Sequence, residues 1–273
     1  MQPIAIVVAM PEEMTHLEGL LREHGARWEG TDVSGPRRFE RVIYNDMPLV
    51  LTTCWVGMVA AAAATEAVIA RYAPRAILNY GCTGAHRDDL MLGDVVVGTA
   101  CVAYDHGRLR PGGIFEHTPV HVFVGGEGAK VDAFPTSPAL LAVAESVAGL
   151  RRWQAEPWPG AGRAPRVFFG PVGSADRFTQ DADALRALHA RHATLCEDME
   201  AAAVAQVCAL HDLPFLTVKD ISNNEFHALS TFDEAGTFKI LEAELGKRAA
   251  AFLFALIERL AAIPDEQAAG DIP

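Results

Sequence analysis

Runs of positive charge are missing from this 273-residue chain: 35 acids oppose 23 bases, for a formal net charge of −12. No Lys/Arg block exceeds the pairs Arg37-Arg38 and Arg151-Arg152. A phosphate-backbone footprint needs clustered cations, so nucleic acid is not an expected partner. Long apolar runs are missing too. The C-terminal "AAAFLFALI" is stopped after nine residues by Glu258 and Arg259, far short of the ~20 residues a membrane-spanning helix needs. Met1 leads into "IAIVVAM" without a basic n-region or a small-residue cleavage site, so a cytoplasmic address is expected, with no membrane association. Cysteines are few and odd in number. Cys54, Cys82, Cys101, Cys196 and Cys208 sit apart in apolar runs, which reads as reduced thiols and neither a disulfide framework nor a zinc knuckle. Neither a Walker loop nor a G-x-S-x-G elbow occurs, which removes the motifs of two common phosphate- and acyl-transfer designs. His117 and His121 have metal-like spacing, but Pro119 between them forbids the helix that would join them at one ion. No metal or other cofactor is expected.

What is present is core. A 50% hydrophobic composition over this length suits one large α/β domain. Strand-like runs at 4–9, 48–54, 76–81, 94–103, 166–172, 194–199 and 214–220 alternate with helical patterns at 57–73, 136–150, 181–192, 200–211 and 238–262. Several of the runs are apolar on both faces, as a sheet covered on both sides requires. The expected fold is therefore α/β: a single domain over 1–273, three-layer α/β/α with a mixed, largely parallel central sheet. Two Pro/Gly-rich stretches, near 105–135 and 151–165, read as loop insertions, and the tail 264–273 as frayed.

Ligands of such sheets gather outside the carboxyl ends of strands. The polar segments falling there are "AMPEEM" (9–14), "GCTGAH" (81–86), "GSADRF" (173–178), "EDMEAAA" (197–203) and "DISNN" (220–224). Taken singly, each has a bland account. Glu12 and Glu13 suit the positive end of a helix dipole, "GCTGAH" a tight turn needing glycine, and Asp176-Arg177 an exposed pair of little energetic worth. Glu200 is harder to dismiss, because it stands between a β-rich run and an alanine-rich helix, where a charge needs polar company.

In this order, together with "CWVGMVAAAAAT" and "NYGCTGAHRDDLMLGDVVVG", these segments resemble the purine nucleoside phosphorylase superfamily, and within it most the 5′-methylthioadenosine/S-adenosylhomocysteine nucleosidases. The resemblance spans about 4–262 apart from the loops near 105–165, and "DMEAAAVAQVC" is its most specific part. It implies that Glu13 activates the attacking water, that Met199 packs under the ribose and that Glu200 grips its hydroxyls. Cys82 and Gly84 take the places of the small residues in the family's "G-S-A-G" loop, and Phe178 stacks on the purine, with Asp176 matching that motif's aspartate. The closing "S-D" pair falls on Ser222 and Asn223, so the acid expected to protonate purine N7 is an amide here.

The implied activity is hydrolysis of the N-glycosidic bond of a 5′-modified adenine nucleoside, by a cofactor-free homodimer. The chemistry suits those residue types: cleavage builds positive charge on the sugar and negative charge on the base, so carboxylates belong beside the first and a donor beside the second. Asn223 keeps two alternatives open, a 6-oxopurine nucleosidase of futalosine or inosine type and a catalytically weakened nucleoside-binding or storage protein. A phosphorylase is disfavoured by Pro11, Glu12 and Glu13, which stand where phosphorolytic relatives hold the anion, since acids repel phosphate. Strand alternation turns Asp220 away from a substitute acid's position.

Overall fold

A computed structural model describes residues 1–149, 155–229 and 242–262. In chain order the elements are β1 (Ile4–Val8), α1 (Pro11–Glu23), β2 (Arg27–Ser34), β3 (Arg37–Tyr44), β4 (Met47–Thr53), α2 (Met58–Tyr72), β5 (Ala76–Ala85) and β6 (Val95–Ala103). Then come β7 (Gly107–Arg110), β8 (Ile114–His117), β9 (Val120–Val124), β10 (Glu127–Val131), β11 (Phe134–Pro135) and α3 (Pro138–Gly149). After them lie β12 (Val167–Ser174), α4 (Ala182–His192), β13 (Cys196–Asp198), α5 (Ala201–Leu210), β14 (Phe215–Asn223) and α6 (Lys247–Ala261).

The ten-stranded sheet is mixed, with β1 parallel to both β4 and β5, and β13 antiparallel to β5. Its pairings close on themselves: β5 joins β14, β14 joins β6, β6 joins β12, β12 joins β13 and β13 returns to β5. From that ring β1, β4, β3 and β2 extend as an open wing. Because successive side chains point to opposite faces, single strands feed two cores. In β1, Ala5 and Val7 join the core shared with α2 and α5, while Ile4, Ile6 and Val8 join the one shared with α1, α3 and α6. Those two layers of helices on one sheet are the three layers expected.

Three expectations need correction. Strands β2 and β3 were absent from the sequence reading because their charged, half-exposed residues lack an apolar run; β2 is the sheet edge, where charge discourages edge-to-edge pairing. The stretch near 105–135 is not irregular: β7 with β8, and β9 with β10, form two antiparallel hairpins, with Gly112, Gly113, Gly125 and Gly126 in the turns. The final helix starts at Lys247, after a short 3-10 turn at 242–244, and not at 238. Residues 238–241 and the tail 264–273 lie outside the described residues. No helix among the described residues is long and apolar enough to cross a membrane.

Candidate active site

Pro11 begins α1, and the third residue of that helix, Glu13, folds back so that its Oε2 accepts the Met10 N–H at 3.1 Å. This is the local helix-start role open to any such glutamate. Its other oxygen does something a helix start does not need: Oε1 accepts the Cys82 N–H, at the far end of β5, at 2.7 Å. Glu13 is only 1% exposed, and burial pushes its carboxyl above the usual range despite those two amides.

Glu200 arrives from the other side of the ring, as the residue that opens α5. Its Oε1 accepts the Gly57 N–H at 2.9 Å. Gly57 has φ of 105°, a left-handed conformation open to glycine, and a Cβ there would stand 3.1 Å from Asp176 Oδ1. Asp176 in turn accepts the Met58 N–H at 2.7 Å, capping α2. The Asp176 of the sequence motif thus holds the loop that holds Glu200. Burial, and next the charge of Asp198, push the Glu200 carboxyl up to about 7.

On β14, the Ser222 hydroxyl donates to the Thr83 carbonyl and to Asn223 Oδ1, both at 3.2 Å, and Asn223 Nδ2 faces Glu225 Oε1 at 3.5 Å. Gly84 lies against that amide, since a Cβ there would meet Asn223 Nδ2 at 2.9 Å. Asp220 is turned elsewhere: its carboxylate accepts the N–H groups of Gly246 and Arg248, capping α6. It does not line the cavity.

One cavity of about 330 Å³ is lined by the eight residues to which the resemblance gives a catalytic or binding place: Glu13, Cys82, Gly84, Phe178, Met199, Glu200, Ser222 and Asn223. The sequence reading missed four charged residues in or beside it. Glu197, Asp198 and Arg177 also line the cavity, and Lys219 lies behind it with Nζ 2.7 Å from Asp198 Oδ2. A signal for them existed, since three acids within "CEDME" and a lysine within the apolar "FLTVKDI" are charges that burial forces into partnership. The nominated histidines serve elsewhere: His117 on β8 packs its ring 4.5 Å from that of His192, and His121 lies on β9.

A cavity whose walls carry the buried carboxylates of Glu13 and Glu200 together with the amide of Asn223 can stabilise a developing cation beside a leaving heterocycle. Known proteins share the arrangement's frame. A 5′-methylthioadenosine/S-adenosylhomocysteine nucleosidase of Mycobacterium bovis is 25% identical over 275 aligned residues, covering 95% of this chain and 98% of the relative. One from Shewanella piezotolerans is 29% identical over 262, covering 94% and 99%. Among solved structures, the Helicobacter pylori enzyme of that name, bound to a substituted pyrrolidinol, superposes with a TM-score of 0.72 at 23% identity, over 94% of this chain and 98% of the other. The futalosine hydrolase of Helicobacter pylori superposes at 0.71 and 22%, over 94% and 97%. At those identities the two structures speak for the fold. Residues 3–258 match the model of the phosphorylase superfamily, and the chain belongs to that superfamily.

Proposed function

We propose that the protein is a purine nucleosidase that hydrolyses the N-glycosidic bond of a 5′-modified adenine nucleoside, of the kind in its relatives' names, 5′-methylthioadenosine or S-adenosylhomocysteine. The observation that carries this reading is the convergence of Glu13 and Glu200 on one cavity that also holds Asn223. The C1′–N9 electron pair leaves with the base as a water oxygen bonds to C1′. Glu13 takes a proton from that water and later returns it to solvent, and the departing base takes a proton from solvent water on release. Glu200 holds the ribose hydroxyls, with Met199 beneath the sugar and Phe178 over the base. Asn223 has no proton to transfer, but its Nδ2–H bond supports negative charge at N7.

A second reading, a 6-oxopurine nucleosidase, is favoured by the same amide, because a donor suits acceptors at both N7 and O6. We place the protein in the cytoplasm, in keeping with its five free cysteines, and as a homodimer. Supporting the dimer, Val59 is 79% and Trp55 63% exposed beside Val56 of the cavity wall; a second copy would cover them.

Chromatographic release of adenine from 5′-methylthioadenosine, with and without phosphate and after EDTA, tests the reading. Release independent of both is expected, and strict dependence on phosphate would move the assignment to a phosphorylase. Sedimentation of the same sample tests the dimer.

A further inference from the structure

Within "CEDME", Asp198 is paired with Lys219 and Glu200 faces Gly57, while Glu197 takes no part in the reaction just described. It is nonetheless a cavity wall, 6% exposed. Its carboxylate is gripped by four donors: the Thr179 N–H at 2.9 Å on Oε1, and on Oε2 the Tyr104 hydroxyl at 2.6 Å, the Thr179 hydroxyl at 3.1 Å and His86 Nε2 at 3.1 Å. The other ring nitrogen of His86 meets the Thr194 hydroxyl at 2.8 Å, fixing the ring. Oε2 is crowded. Among the described residues Oε1 has a single donor, and a carboxylate oxygen can accept two.

Position says what the free lone pair can meet. β13 and β14 flank β5, and Glu197 and Asn223 are both register partners of the same residue, Gly84. Two inter-strand steps set their backbones about 10 Å apart, with a glycine between them that leaves a flat floor. A purine lying over Gly84 with its five-membered ring toward Asn223 turns its six-membered ring toward Glu197. Thr179, which supplies two of the four donors, follows directly on Phe178, so the ring over the base and the acceptor at its edge are held by adjacent residues.

We infer that Glu197 is a base-reading residue that accepts the exocyclic N6–H of adenine, while Asn223 donates to N7. This rests on the nucleosidase reading and deepens it. A fixed carboxylate forms a strong, charge-assisted bond with an amine and opposes a carbonyl oxygen at the same ring position. Burial would raise the Glu197 carboxyl, but His86, Tyr104 and the Thr179 N–H hold it below the usual carboxylate range, so it meets the base as an acceptor.

The test compares three nucleosides with the same 5′ group, carrying adenine, hypoxanthine or unsubstituted purine, in the wild-type chain and in Glu197→Gln. The wild type should prefer adenine to purine, and this comparison needs no variant to fold. Glu197→Gln should lower kcat/KM on the adenine nucleoside about 10- to 100-fold, the worth of a hydrogen bond to a charged group, and leave the purine nucleoside unchanged. No adenine preference in the wild type, equal losses on all three nucleosides, or a loss confined to hypoxanthine would overturn the inference. If the wild type cleaves none of them, the nucleosidase reading fails by itself. Calorimetric binding of free adenine and purine then decides the role of Glu197: adenine bound more tightly than purine, with that margin lost in Glu197→Gln, supports it, and any other pattern overturns it.

Discussion

Lys219 Nζ lies 2.7 Å from Asp198 Oδ2, with both side chains 2% exposed. The same carboxylate caps α5 through the Ala201 N–H at 3.0 Å and accepts the Ser174 hydroxyl. Burial alone would lower the lysine, but Asp198 and then Glu200 hold it above its usual range. Removing one partner of a buried pair leaves an uncompensated charge. Lys219→Met should therefore cost about 3–5 kcal/mol, and Lys219→Met with Asp198→Asn should recover part of it, as read by urea unfolding.

Glu13→Gln separates folding from chemistry. A glutamine oxygen can still accept the Cys82 or Met10 N–H, but an amide cannot take a proton from water. Turnover should fall about 10²- to 10⁴-fold with KM little changed and the unfolding midpoint within a few degrees of wild type. Equal turnover in the variant would place the general base elsewhere.

Glu200 sets a pH dependence whose sign follows from its burial. To grip hydroxyls it must be ionised, so with a folded value of about 7 kcat/KM should fall as pH drops below neutrality. Lys219 lowers that value, so Lys219→Met should move the acid limb to higher pH. Stability runs the other way. Because the folded value is raised from the ordinary 4.5, the contribution of Glu200 is fully present below about 4.5 and is lost as pH rises through about 7. Glu200→Gln should weaken both dependences, in rate profiles and in melting curves taken from pH 5 to 8.

Asn223→Asp tests the base end. A carboxyl introduced there would lie beside Glu225, whose Oε1 is 3.5 Å from the present amide nitrogen, and such a like-charge neighbour raises a carboxyl toward neutrality. On an adenine nucleoside the variant should gain turnover, with a general acid where there was only a donor. On a 6-oxopurine nucleoside it should lose turnover, through repulsion at O6. No change on either substrate would mean that position 223 does not face the base.

Gly84→Ala tests how closely the floor of the cavity is fitted. Its Cβ would intrude to 2.9 Å from Asn223 Nδ2, forcing the amide to move. Turnover should drop about 10-fold or more, the scale on which small misplacements act, while circular dichroism stays that of the wild type.

Much of this protein was legible in its chain. Alternating apolar runs and alanine-rich helices dictate a sheet covered on both faces, because runs such as "IAIVV" can be buried on both sides only there. The segments that hold Glu13, Cys82, Glu200 and Asn223 stood out because strand ends are where such sheets bind ligands, and the resemblance to the nucleosidases picked those residues out of them. The edge strand β2, its neighbour β3 and the two hairpins stayed hidden, since their exposed faces carry no hydrophobic period.

Only the tertiary structure decided what depends on distances between remote segments. It closed β5, β14, β6, β12 and β13 into a ring, and so set Glu197 and Asn223 on either side of Gly84. It gave Asp220, which strand alternation already turns away from the base, its partners at the start of α6, and it joined Lys219 to Asp198 across 21 positions of sequence. Local propensity reports the period of a segment and which of its faces is apolar. The register between strands far apart in the chain is fixed by how those faces pack together, and that register chooses which charges meet.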